Sequence, residues 1–117
     1  MEITVAEFRK LEPGSYRLID MRGDQDVAYG MVPGAIHMPA EGLVEAVKEH
    51  SEFAGQKLVV YCTRGRFSVD AAAELKEAGY EAYSLAGGYL GWLMDEMKRE
   101  EENSRRGHLK IFFGYAA

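Results

Sequence analysis

The sequence predicts an α/β domain built on a small, mostly parallel sheet flanked by helices on both faces, and three observations carry that reading. Strand-like and helix-like runs alternate along the chain, the pattern of parallel strands joined by crossovers. Lys57-Leu58-Val59-Val60-Tyr61 is the most strand-like run, apolar after its first residue. A few residues later an alanine-rich segment, Val69 to Ala78, has high helix propensity.

Taken in order, Thr4 followed three residues later by Glu7 is a capping-box signal, and Val5, Phe8 and Leu11 continue at helical spacing until Pro13-Gly14. Tyr16-Arg17-Leu18-Ile19 reads as a buried strand ending at Asp20, and a polar connection then runs through Asp24, Asp26 and Gly30. Val32 to Pro39 holds two prolines bracketing a short apolar piece, which suits an extended segment between turns. Leu43, Val44 and Val47 share one face of a helix over 42–49. Ser68 is the expected N-cap of the alanine helix, and Gly79 closes it. Tyr80 to Leu85 is a further strand, Gly87-Gly88 a turn, and Leu90, Leu93, Met94 and Met97 form the stripe of a last helix, with Trp92 expected in the core. No internal repeat is visible.

At 117 residues the chain fits one core, expected over 1–98. The charged run 99–108 reads as a linker, and Leu109-Lys110-Ile111-Phe112-Phe113-Gly114 as a C-terminal strand within 109–117. With 19 acidic and 14 basic residues, a net charge of -5 argues against general nucleic-acid binding. No apolar run approaches a membrane span, and Met1-Glu2-Ile3-Thr4 lacks the character of a signal peptide, so the expected location is cytoplasmic. The single cysteine, Cys62, makes no internal disulfide and a poor metal site, and neither a metal nor a cofactor is expected.

Cys62 stands where the best strand stops and the best helix is about to start, the place where open α/β sheets bind ligands. The loop Cys62-Thr63-Arg64-Gly65-Arg66-Phe67, closed by Ser68, combines a glycine for a tight turn with two arginines. Inward amides at a helix N-terminus and nearby positive charge both favour a thiolate over a thiol of ordinary pKa about 8.5. The residues alone leave two readings open: a small buried hydrophobe at a strand end, or a reactive thiolate that attracts an anionic substrate.

Leu18-Ile19-Asp20-Met21-Arg22, Gly30 through Pro39, Val59-Val60-Tyr61-Cys62 and Leu85 through Trp92 resemble, in order and spacing, the blocks of single-domain rhodaneses. The resemblance implies a rhodanese-like fold and a thiosulfate-type sulfurtransferase in which Cys62 becomes a persulfide and passes its outer sulfur to cyanide, a thiol or a protein acceptor. It implies that the loop amides from Arg64 to Ser68 hold the persulfide and that Arg64 and Arg66 bind the anionic donor, thiosulfate in preference to 3-mercaptopyruvate. Thr63, Gly65 and Phe67 complete the expected substrate loop, and Asp20 and Arg22 are expected as supporting polar contacts. His37 is expected to be structural, since persulfide exchange from a thiolate needs no base. The chain departs from many relatives at Met31, where they carry His, and at Phe67, where they carry Arg; Phe67 leaves an apolar lip suited to a protein or larger thiol acceptor.

Two alternatives stand beside the enzyme. A cysteine phosphatase of related fold needs an arginine six positions after its cysteine, and that position is Ser68. A non-enzymatic sensing or interaction module is the stronger rival: Arg106 to Ala117 resembles the strand leading into the phosphate-binding loop of Kdp-type sensor kinases, which implies fusion to a regulatory protein.

Overall fold

In the computed structural model, which describes the backbone of residues 1–116 and the side chains of residues 1–105, parallel pairing joins every neighbouring strand of one sheet. The elements are β1 (Glu2–Ile3), α1 (Val5–Arg9), β2 (Tyr16–Asp20), α2 (Asp24–Val27), β3 (Ile36–His37), α3 (Leu43–Glu49), β4 (Lys57–Tyr61), α4 (Phe67–Glu77), β5 (Glu81–Leu85) and α5 (Gly88–Ala116). The strand order is β1-β5-β4-β2-β3. The chain moves outward from β2 to β3, returns past β2 to β4, and continues away to β5. The order therefore reverses between β2 and β4, and a crevice opens there beyond their carboxyl ends.

Alternation along β4 sorts the core into two layers. Leu58, Val60 and Cys62 join Ile19, Leu43, Val47, Phe53, Ala71, Ala72 and Leu75 under α3 and α4. Val59 and Tyr61 face the other way, with Ile3, Phe8, Leu18, Val32 and Leu85, and Tyr89 and Trp92 of α5 pack onto that layer half-buried. β4 is buried on both faces, which explains its continuous apolar run.

The local signals act as their chemistry requires. Thr4 Oγ accepts the Glu7 N–H at 3.1 Å while Glu7 Oε1 accepts the Thr4 N–H at 2.9 Å, a complete capping box. α4 ends in a Schellman motif: the Tyr80 N–H reaches the Leu75 carbonyl, the Gly79 N–H reaches that of Lys76, and Gly79 takes φ +102°.

The structure corrects several expectations. Ser68 is not the N-cap of α4; Arg66 holds that position and α4 begins at Phe67. The buried stripe Ser68, Ala71, Ala72 and Leu75 turns the serine inward, so its hydroxyl is occupied elsewhere. A short edge strand, β1, pairs with β5 where none was expected. The polar connection after β2 contains the single turn α2. At the C-terminal end, backbone helix runs through both the expected linker, 99–108, and the expected strand at Leu109 to Gly114. Propagating a helix already nucleated costs little in a run rich in Glu, Lys, Arg and Met, and i,i+4 pairs Arg99–Asp95 and Arg105–Glu101 support it. Whether the apolar side chains of 109–114 are covered lies outside the described residues. Among the described residues no helix is long and apolar enough to cross a membrane.

Candidate active site

Cys62 follows β4 directly, so its sulfur lies at the mouth of the crevice between β2 and β4. A cavity of about 400 Å³ opens over it, lined by Met21, Arg22 and Asp26 from the β2 side and by Thr63, Arg64, Arg66 and Phe67 from its own loop. Thr63, Arg64, Arg66 and Phe67 are exposed, and Phe67 retains 74% of its surface in solvent. Gly65 and Ser68 are buried and do not line the cavity. The Gly65 N–H points to Cys62 Sγ at 3.2 Å, and Ser68 Oγ lies 3.4 Å from the same sulfur.

Burial pushes the Cys62 thiol up, but the Ser68 hydroxyl and the amides of Ser68, Gly65 and Phe67 outweigh it and hold the pKa below its ordinary value. Those amides are available because no side chain caps the N-terminus of α4.

The loop itself is held from behind by the first turn of α5. The Tyr89 N–H donates to the Cys62 carbonyl at 2.8 Å and the Leu90 N–H to that of Thr63 at 3.0 Å. Gly65, at φ +86°, makes the turn that aims its N–H at the sulfur.

Asp20 and Arg22 form a buried pair beside the site. Arg22 Nη2 donates to Asp20 Oδ2 at 2.8 Å and to the Gly30 carbonyl at 2.6 Å, and the Arg22 N–H donates to Asp20 Oδ1 at 2.9 Å. The guanidinium also lies 4.0 Å from the centre of the Tyr89 ring. Burial raises the Asp20 pKa, yet hydrogen bonds from Arg22 and the Tyr61 hydroxyl bring it below the usual carboxylate range. His37 donates Nε2–H to the Arg22 carbonyl at 2.7 Å and does not line the cavity.

One polar residue of the site escaped sequence reasoning. Ser84 on β5 is wholly buried, and its hydroxyl lies 2.7 Å from that of Ser68. The signal was present: Ala82 and Ser84 alternate onto the α4 face of β5, and Ser84 pairs in register with Val60, two residues before Cys62. Among the described residues no cluster of His, Cys, Asp and Glu is suited to hold a metal ion.

The family model described as the rhodanese-like domain matches residues 4–95. The chain belongs to that family. Solved structures agree with this rhodanese-like assignment. The human single-domain sulfurtransferase TSTD1 is 27% identical with a TM-score of 0.68, over 80% of this chain and 95% of that one. A protein from Staphylococcus saprophyticus subsp. saprophyticus is 26% identical with a TM-score of 0.69, over 79% and 93%. A protein of unknown function from Rhodopseudomonas palustris, described as a possible tyrosine phosphatase, is 20% identical with a TM-score of 0.67, over 81% and 80%; that likeness is one of fold.

Proposed function

We propose that this rhodanese-like domain is a sulfurtransferase that carries sulfane sulfur on Cys62. The observation that carries the reading is the sulfur's setting: Sγ at the crevice mouth, with the Gly65 N–H directed at it at 3.2 Å, the Ser68 hydroxyl oxygen 3.4 Å away and its pKa lowered. The Cys62 thiolate attacks the outer sulfur of thiosulfate, the donor's S–S bond breaks, and sulfite leaves with the bonding pair. The resulting persulfide is attacked at its outer sulfur by cyanide or a thiolate, and the Cys62 thiolate departs. Arg64 and Arg66 at the rim attract the anionic donor, while exposed Phe67 offers an apolar edge to a thiol or protein acceptor. Phosphoryl transfer is disfavoured because position 68 supplies a buried hydroxyl where that chemistry uses a guanidinium.

Intact-mass spectrometry after thiosulfate treatment tests the proposal. The wild-type chain gains the mass of one sulfur atom and Cys62→Ser gains none; equal gain, or no gain in either, sinks it.

A second reading, a sensing or interaction module within a regulatory protein, is favoured by α5. That helix continues to Ala116 past the end of the family match at residue 95, and it exposes Met94 and Met97. Cyanide added to the persulfidated protein together with excess thiosulfate separates the two. Catalytic thiocyanate production supports the enzyme, and a persulfide that forms but does not turn over supports the module.

A further inference from the structure

We propose that Ser84 is a positioning residue for Cys62, acting through Ser68 to keep a hydroxyl hydrogen aimed at the thiolate. The inference rests on the reading that the Cys62 thiolate is the working form, and it extends the site to β5, a strand that contributes nothing to the cavity lining.

The number of hydrogens available to the three groups sets their arrangement. Ser68 Oγ lies between Cys62 Sγ at 3.4 Å and Ser84 Oγ at 2.7 Å, and both serines are 0% exposed. A neutral thiol donates its hydrogen to Ser68, which leaves Ser68 free to donate to Ser84. A thiolate only accepts. Ser68 then has to donate to the sulfur, and the hydrogen between the serines has to come from Ser84. Ionisation of Cys62 therefore sets the chain in one direction, from Ser84 to Ser68 to sulfur, and a hydroxyl that accepts a hydrogen bond donates a stronger one. Without Ser84 the buried Ser68 oxygen loses its donor, and its own hydrogen is less firmly held toward the sulfur. Packing alone does not require the hydroxyl: Ala82, on the same face of the same strand, is also buried.

Charged groups around the sulfur come from several elements. Arg64 and Arg66 lie on its own loop and Arg22 and Asp26 line the cavity from the β2 side. Arg22 is paired with buried Asp20 and its carbonyl holds His37, while Asp70 in the first turn of α4 is exposed. All of these are the same in every variant compared below, so a difference between variants reports the hydroxyl chain.

The test is the pH dependence of iodoacetamide alkylation of Cys62 in the full chain, with thermal midpoints to verify folding. Ser84→Ala is expected to shift the profile to higher pH, slowing alkylation about three-fold at a fixed pH below the wild-type midpoint. Ser68→Ala shifts it further, and the Ser68→Ala/Ser84→Ala double variant matches Ser68→Ala alone, because Ser84 acts only through Ser68. A wild-type profile in folded Ser84→Ala, or additive effects in the double variant, overturns the proposal. If Ser84→Ala does not fold, Ser84→Thr and Ser84→Val replace it as a pair of equal size. The threonine is expected to keep the wild-type profile and the valine to lose it; equal profiles overturn the proposal. Sulfur uptake from thiosulfate is measured separately. A wild-type chain that takes up no sulfur defeats the proposed transfer while the alkylation series still decides the role of Ser84.

Discussion

Gly88 lies so close to the backbone of Cys62 that a β-carbon on it would stand 2.6 Å from the Cys62 carbonyl oxygen. The same β-carbon would meet the Gly65 nitrogen and the Thr63 carbonyl at 2.7 Å, and Gly88 also takes φ +61°. Both facts exclude a side chain, and all three neighbours are backbone atoms that cannot yield as a flexible side chain would. Gly88→Ala is expected to cost about 2–3 kcal/mol and to disorder the loop. Urea denaturation measures the cost, and an unchanged midpoint contradicts the packing described.

The Asp20–Arg22 pair predicts an acid-side signature. Asp20 has a folded pKa below its unfolded one, so its contribution is complete above the ordinary carboxylate value of about 3.9 and is lost as pH falls through the lower, folded value. Wild-type thermal stability should fall on that acid limb, and Asp20→Asn should flatten it. At neutral pH the same variant leaves the Arg22 charge buried without its partner, a loss of about 3–5 kcal/mol. Melting curves across pH give both numbers; an unaltered acid limb in Asp20→Asn would contradict the assignment.

Rim charge and rim apolarity should separate by substrate. Arg64→Ala and Arg66→Ala are expected to raise the KM for thiosulfate by about three- to ten-fold each, with the wild-type value rising as salt screens the rim. Phe67→Ser should leave thiosulfate kinetics near wild type and weaken a bulky thiol acceptor. Steady-state kinetics with the donor and the acceptor varied in turn distinguish these effects. A Phe67→Ser variant impaired equally toward both substrates argues against the acceptor role.

Arg9 on α1 reaches Asp95 at 2.7 Å and Glu96 at 2.6 Å on α5. The pairs are partly exposed, so Arg9→Ala should cost no more than about 1 kcal/mol. Its clearer effect is local: amide exchange in α5 near residues 92–99 should accelerate while β4 stays protected. Uniform acceleration across the sheet would contradict this.

Much of the fold was legible where periodicity and composition are strong. β4 and α4 announced themselves, one through a continuous apolar run and the other through alanine, and the loop between them located Cys62. The capping box at Thr4 and Glu7 was equally direct. β1 was not, because a two-residue edge strand has no alternation to detect and is held by the Ser84 N–H on the Met1 carbonyl and the Ala86 N–H on that of Ile3. The orientation of Ser68 was misjudged for a different reason: serine before a helical run signals a cap, but its place on the stripe with Ala71 and Leu75 outweighed that local preference. The C-terminal apolar run misled because a short apolar segment has no period that separates strand from helix. Ser84 needed tertiary knowledge, since its meaning depends on a partner sixteen residues away.

The attachment of α5 to the loop carries a mechanical corollary. Its first-turn amides grip the Cys62 and Thr63 carbonyls, so the loop and the helix axis share a pivot at Gly88. From Gly88 to Arg105 the helix extends about 25 Å at 1.5 Å per residue, and a tilt of about 5° at the pivot displaces the far end by about 2 Å. In the transfer proposed above, the sulfur atom added to Cys62 would sit in the cup formed by that loop. Whatever accommodation the cup makes is thereby magnified along the helix, as displacement is by a pointer.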